Sequence, residues 1–262
     1  MITSTANGRI RELVRLKKSA KDRAAKDVFL VEGPKMFREI PAHLLREAYA
    51  SESFLKSADG VAAYTAAQQA GIRVETVSDP VFRYLSDTQS PQGILAVVSQ
   101  LHYTLRDLAE SPLPLLIVLE NLQDPGNLGT ILRTAEAAGA TGILLSGDCA
   151  DLYNPKVIRS TMGSVFRVPF AYTDDLHREL AALKSAGIRL YAAHLKGSTD
   201  MYGEDYSGPC AFLIGNESKG LTDRTASLAD QAVRIPMSGQ VESLNAAVAA
   251  SVLLYEAKRQ RL

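Results

Sequence analysis

Ile235-Pro-Met-Ser-Gly-Gln-Val-Glu-Ser-Leu-Asn-Ala-Ala-Val-Ala-Ala-Ser-Val-Leu-Leu-Tyr-Glu256 runs from a short apolar segment through a polar, Gly-containing loop into an Ala-rich stretch. The apolar segment reads as a strand over 232–235. The loop ends at Ser243, a residue suited to cap a helix, and the helix is expected over 244–259. Leu244, Val248 and Val252 are spaced to face a core. A strand, a polar loop and a helix N-terminus make a ligand site in α/β proteins, because the unpaired N–H groups of the first turn point out of the helix.

The rest of the second half repeats this alternation. Strands are expected over 115–119, 142–146, 166–169, 189–193 and 211–214. Helices are expected over 128–138, 156–162 and 176–186. Such a series favours an α/β fold with a mainly parallel sheet and ligands at the strand C-termini. The first hundred residues also alternate, with strands over 28–31, 48–51, 73–77 and 93–98, a helix over 61–70 closed by Gly71, and a short helix opened by Asp79-Pro80. Between them, 99–114 turns polar and ends in Pro112 and Pro114. The chain therefore divides into a domain over 1–100, a linker over 101–114 and a domain over 115–262.

Composition excludes more than it selects. Of 262 residues, 46% are hydrophobic and 22% charged, as in ordinary globular proteins, and 29 basic residues balance 29 acidic ones. That neutrality conceals a basic run: Arg9, Arg11, Arg15, Lys17, Lys18, Lys21, Arg23 and Lys26 face only Glu12, Asp22 and Asp27 nearby. The run suits either a solvated helix face or contact with an RNA backbone, where each neutralised phosphate releases counterions. Cys149 and Cys210 stand far apart with no CxxC, and the four histidines do not cluster, so neither a disulfide framework nor a metal site is expected. No apolar run reaches the roughly 18 residues of a membrane span, and no apolar signal core opens the chain, so a cytoplasmic protein is expected.

Two further stretches carry chemistry. In Glu120-Asn-Leu-Gln-Asp-Pro-Gly-Asn-Leu-Gly-Thr-Ile-Leu-Arg-Thr134, Asn127 follows a Pro-Gly turn and is placed to cap a helix. Arg133 falls roughly 140° from the Leu128 stripe and projects away from the core. In Phe212-Leu-Ile-Gly-Asn-Glu-Ser-Lys-Gly-Leu221, a strand ends at Gly215, where a missing side chain admits a close approach to the backbone, and polar residues crowd a turn closed by Gly220. No GxGxxG is present, which counts against a dinucleotide-binding oxidoreductase.

Taken in order, the three stretches resemble the signature motifs of the SpoU/TrmH family of RNA ribose 2′-O-methyltransferases, the SPOUT enzymes. Ile158-Arg-Ser-Thr-Met-Gly-Ser-Val-Phe-Arg-Val-Pro169 resembles the family segment between the first two. Phe29-Leu-Val-Glu-Gly33 is similar to part of the L30e-like substrate-binding domain of its ribosomal-RNA members. The resemblance implies a C-terminal SPOUT domain with a parallel sheet and a deep trefoil knot, a smaller N-terminal L30e-like α/β domain, and a homodimer in which Arg133 of one subunit completes the other's site. It implies S-adenosyl-L-methionine as cofactor, held by Leu195, Gly215, Asn216, Gly220, Ile235, Met237, Ser243 and Leu244. Asn127, Arg133, Glu217, Ser243 and Asn245 become the catalytic set. Arg9, Arg11, Arg15, Lys17 and Lys18 become RNA contacts.

The reaction implied is methyl transfer to a ribose 2′-hydroxyl, most naturally in large-subunit ribosomal RNA given the extra domain. A hydroxyl needs its proton removed or accepted before it attacks. Arg133 is open to two roles. As a base it must first lose a proton, which for a guanidinium near neutral pH costs roughly 6–8 kcal/mol. As a cation it would clamp the target phosphate and orient the hydroxyl. Two other readings share the fold: a transfer-RNA ribose methyltransferase, and a non-catalytic RNA-binding protein.

Overall fold

The computed structural model describes residues 1–194, 199–241 and 243–262, and the chain forms two compact units within it. The first comprises Met1–Leu101 and Asp151–Phe166, and the second His102–Ala150 and Arg167–Leu262.

In the first unit, β1 (Val28–Glu32), β2 (Leu45–Ser51), β3 (Val74–Val77) and β4 (Ile94–Ser99) form a sheet in the order β1-β4-β2-β3. β4 is antiparallel to both its neighbours, while β2 and β3 are parallel. The basic run folds as two helices, Gly8–Lys18 and Ala20–Lys26, broken at Ser19, whose hydroxyl caps the second by accepting from Asp22 N. Ile10, Leu13 and Leu16 recur on one face of the first helix and bury against Leu30, Tyr49, Leu95 and Val97 of the sheet.

The Asp151–Phe166 segment joins this unit although it lies fifty residues further along the chain than the rest, which the division at 101–114 does not anticipate. Its Pro155–Thr161 helix packs on β1, and Phe29 meets the rings of Tyr153 at 4.8 Å and Phe166 at 6.0 Å. Arg23, only 3% exposed, pairs with Asp151 and donates to the carbonyls of Leu16 and Lys17. It is a structural tie and not part of a solvated face.

In the second unit, β5 (Leu115–Leu119), β6 (Gly142–Ser146), β7 (Phe170–Thr173), β8 (Arg189–Ala193), β9 (Thr199–Asp200), β10 (Cys210–Ile214) and β11 (Gln231–Arg234) form a sheet. Its order among the described residues is β7-β6-β5-β10-β8-β11-β9, and every pairing is parallel. β5, β6 and β10 are buried at every position, as strands covered on both faces must be. Leu116, Val118, Leu144, Leu190, Ala211 and Leu213 point to one face, where the Leu176–Ser185 helix adds Leu180 and Leu183. On the other side the helices Pro125–Ala138 and Ala246–Gln260 pack on each other and reach β6 and β10.

Several sequence expectations need correction. The strand expected over 166–169 is absent: Phe166 closes a 3-10 turn, and β7 begins after Pro169, which has no N–H to give a ladder but accepts at its carbonyl from Ile143 N. The 101–114 linker contains the helix Leu105–Ala109, closed at its start by a Thr104–Asp107 capping box. Its Leu108 is fully buried in the second unit's core, filling the space that a side chain at Gly142 would need. In the Ala246–Gln260 helix the buried face is Ala246, Ala247, Ala250, Leu253, Leu254 and Ala257. Val248 is exposed, and Leu244 and Val252 are half-buried, so the expected stripe was read out of phase.

Candidate active site

The Pro125–Ala138 helix begins one turn earlier than expected. Pro125 suits the first helical position, where a missing N–H costs nothing, so the cap falls to Asp124, whose carboxylate accepts from Asn127 N at 2.7 Å. Asn127 is therefore not the cap, and its side chain is free for longer-range contacts. Its Nδ2 donates to Glu217 Oε1 at 3.1 Å, and its Oδ1 accepts from Asn245 Nδ2 at 2.9 Å. An ionised carboxylate only accepts, so Glu217 fixes which way the Asn127 amide points.

Asn245 corrects a second expectation. It, not Ser243, caps the Ala246–Gln260 helix, its Oδ1 accepting from Ala247 N and Val248 N. One amide thus satisfies a helix start with its oxygen and Asn127 with its nitrogen. The carboxylate of Glu217 also accepts from Asp124 N at 2.9 Å and Gln123 N at 3.3 Å, so it sits as an anion at the start of the Pro125–Ala138 helix. Burial pushes its pKa up, but the N–H of Asp124, its own N–H, the Asn127 amide and the N–H of Gln123 outweigh this and hold it below the ordinary carboxylate value. Residues from three separate motifs are thereby joined as Glu217–Asn127–Asn245.

Gly215 follows β10 directly, and a Cβ there would lie 2.1 Å from the backbone of Gly220 and Leu221. Its lack of a side chain serves the loop's own crossing, where Asn216 and Gly220 exchange backbone hydrogen bonds. This is a second reason for glycine at this position, beside the room for a ligand expected from the sequence. Asn216 turns inward: its Oδ1 accepts from Ser218 N and Lys219 N, and its Nδ2 donates to Asn121 O.

The C-terminal ends of β8, β10 and β11 surround a cleft of about 790 Å³, within the size range of small-molecule and cofactor sites. Gly215, Asn216, Gly220, Ile235, Met237, Ser243 and Leu244 all line it, as does Glu217. Leu195 lies outside the described residues. Asn127, Arg133 and Asn245 are not among its lining residues. Arg133 is exposed on the Pro125–Ala138 helix, with no hydrogen bond or ion pair among the described residues, and is not brought to the Glu217–Asn127–Asn245 group.

Sequence reasoning missed Asp124, for which Asp-Pro at a helix start was an available signal. It also missed His194, Asp200 and Arg234 of the cleft, which the fold brings there without a local motif.

The expected RNA contacts divide in two. Arg9 pairs with Glu75 at 3.1 Å, and Lys17 pairs with Asp87 and donates to Leu85 O, both at 2.9 Å. Arg11, Arg15 and Lys18 are exposed and unpaired among the described residues. At spacing i, i+4, i+7 they share one stripe, opposite the buried Ile10, Leu13 and Leu16. Among the described residues no group of His, Cys, Asp or Glu suits a metal ion, and no helix is long and apolar enough to cross a membrane.

The chain is also similar to known proteins. The SpoU rRNA Methylase family matches residues 114–255, and an MRM3-like substrate binding domain matches residues 7–96. The chain is 32% identical over 256 residues to the 23S rRNA (guanosine(2553)-2′-O)-methyltransferase RlmP of Bacillus subtilis, covering 97% of both. It is 40% identical over 188 residues to an uncharacterized tRNA/rRNA methyltransferase of Synechocystis, covering 71% of this chain and 67% of the relative. Among solved structures, the AdoMet-bound rRNA methyltransferase of Sinorhizobium meliloti superposes with TM-score 0.87 at 33% identity, over 100% of this chain and 98% of that one. The SpoU methyltransferase AviRb of Streptomyces viridochromogenes, in complex with AdoMet, gives 0.86 at 30% identity, over 97% and 98%.

Proposed function

The chain belongs to the SpoU rRNA methylase family, and from that membership we propose that it transfers a methyl group from S-adenosyl-L-methionine to a ribose 2′-hydroxyl of 23S-type ribosomal RNA. The observation that carries this reading is the junction of Glu217, Asn127 and Asn245 from three motifs beside a cleft at the ends of parallel strands. The near end-to-end match to a 23S rRNA methyltransferase favours ribosomal RNA over transfer RNA.

The cleft fits the cofactor in size and chemistry. Ile214, Leu221, Val233, Ile235 and Leu244 offer apolar surface for a flat base, and the loops after β10 and β11 offer backbone polar groups. Bound there, S-adenosylmethionine supplies a methyl on a cationic sulfur. The protein's part is alignment, which contributes up to about 7–11 kcal/mol in well-oriented reactions. Glu217 and Asn245 hold Asn127, and Asn127 in turn locks the two helix starts together. Ser243 stands on the cleft wall. Arg133, exposed and unpaired among the described residues of one chain, is assigned to the site of a second copy, where as a cation it orients the target phosphate or as a base it takes the hydroxyl proton. The family membership supports the trefoil knot.

On the substrate side the first unit holds the RNA, with Arg11, Arg15 and Lys18 contacting phosphates, while Arg9 and Lys17 serve the unit's own structure. The protein acts as a homodimer in the cytoplasm. The test has two parts. Equilibrium titration should show binding of S-adenosylmethionine and none of NAD. Mapping of ribose methylation in ribosomal RNA from cells with and without the gene should reveal one lost 2′-O-methyl group. An unchanged map with a missing mark in transfer RNA would move the substrate to the other class.

A further inference from the structure

Glu120 stands one residue past β5, lies outside the catalytic and cofactor-binding sets, and is 8% exposed. Its backbone N–H donates to Ile214 O at 2.9 Å. Its carboxylate accepts from Thr222 N at 2.7 Å, from Thr222 Oγ1 at 2.8 Å and from Thr225 Oγ1. Ile214 and Thr222 flank the Gly215–Leu221 loop, so one residue grips both ends of it. That loop is a wall of the cleft and carries Glu217. A buried carboxylate meeting three donors is an arrangement that fails if any acceptor is lost, because an unmatched buried donor is costly.

We propose that Glu120 is a positioning residue: by clamping both ends of the 215–221 loop it sets the cofactor cleft and the placing of Glu217. The proposal rests on the reading of that cleft as the S-adenosylmethionine site. Two neighbours extend the clamp. Thr225 is fully buried, and its hydroxyl proton is directed at Glu120, which leaves its oxygen to accept from His177 Nε2, 3.2 Å away. Thr222 Oγ1 caps the Asp223–Leu228 helix by accepting from Thr225 N. The carboxylate thus joins the end of β5 to the helix that follows the loop, and the Leu176–Ser185 helix supports it through His177.

Glu120→Gln is the informative variant. A glutamine keeps the shape but carries no charge and accepts on one side only, so the Thr222 and Thr225 hydroxyls lose their charge-assisted bonds and must turn to accept from its N–H₂. Amide hydrogen exchange over the peptide spanning 214–224 should accelerate in the variant, with no ligand present. Affinity for S-adenosylmethionine should fall roughly tenfold, about the value of one charge-assisted hydrogen bond, and turnover at saturating cofactor should fall as well, because the loop carries Glu217. Thr225→Val, which removes one donor and keeps the shape, should show the same pattern more weakly and covers the case where Glu120→Gln does not fold. Leu108→Ala, a core truncation in the Leu105–Ala109 helix, should lower the melting temperature and leave cofactor affinity intact. If Glu120→Gln lowers the melting temperature as Leu108→Ala does but leaves exchange and affinity unchanged, the clamp is refuted. If the wild type binds no S-adenosylmethionine, the functional reading falls, while loop exchange still decides whether Glu120 holds the loop.

Discussion

Glu217 and Arg133 illustrate two ways in which a single side chain is legible. Glu217 is held ionised by N–H donors that the fold aims at it, and its lowered pKa carries a sign. A group whose folded value lies below the unfolded one adds stability that is fully present above the unfolded value and is lost as pH falls through the folded one. The stability difference between wild type and Glu217→Gln should therefore be flat above about pH 4.5 and shrink as acid is added below it; denaturant melts across pH measure this, and a difference that grows in acid contradicts the assignment. The same variant orients the Asn127 amide less strictly and should slow methyl transfer at least tenfold. Arg133 has no partner to read among the described residues, so its role is tested by chemistry. Arg133→Ala should abolish single-turnover transfer and leave cofactor affinity within twofold, because Arg133 does not line the cleft. Arg133→Lys keeps the charge without the bidentate fork and should lose roughly 10- to 100-fold, the value of a charged hydrogen bond. A uniform drop with an unshifted pH–rate limb supports the phosphate clamp, and a shifted limb supports the base. Full activity in Arg133→Ala removes the residue from the mechanism.

At the scale of the element, strands were the more legible objects. β5, β6 and β8 fall where the sequence places them, since strands buried on both faces show as short apolar runs between turn residues. Helix starts were less so. Asp124 and Asn127, and again Ser243 and Asn245, are all acceptable caps, and the choice between them is made by Pro125 in one case and by the contact with Asn127 in the other. The site was legible as three motifs, but their joining was not, because Asn127 is 90 residues from Glu217 and 118 from Asn245. The phase of Ala246–Gln260 is hard to read from sequence because four alanines with Leu253 and Leu254, and not the valines, form its buried apolar face. Val248 and Tyr255 are left 47% and 50% exposed on that helix. Apolar side chains set apart from a helix's own core face suit burial against a second copy. Sedimentation of the wild type should give twice 28.3 kDa. Val248→Asp combined with Tyr255→Asp should give a monomer of unchanged helix content and no methyl transfer. An active monomer would rule out the shared site.

For the whole molecule, the two units are not consecutive pieces of chain, which decides how the RNA assignment can be tested. Removing residues 1–100 would take away β1 and with it the cover of the Pro155–Thr161 helix and of the Tyr153 and Phe166 rings. Val157, Ile158 and Val165, all fully buried, would be left without part of their core, and a chain so shortened should aggregate or melt early. Loss of RNA binding in it would say nothing about contacts. Substitution on the intact protein does. Arg11, Arg15 and Lys18 hold no partner among the described residues, so replacing them with glutamine removes charge without breaking an ion pair. Each lost phosphate contact lowers the slope of log affinity against log salt by about 0.7–0.9, so the triple variant should lower it by roughly 2–3 and bind weakly at low salt. Its melting temperature and cofactor affinity should match the wild type. Arg9→Gln, which breaks the pair with Glu75, should leave the slope unchanged. If the triple variant keeps the wild-type slope, or if Arg9→Gln lowers it as much, the stripe opposite Ile10, Leu13 and Leu16 is not where the phosphates lie, and the basic run is a solvated helix face after all.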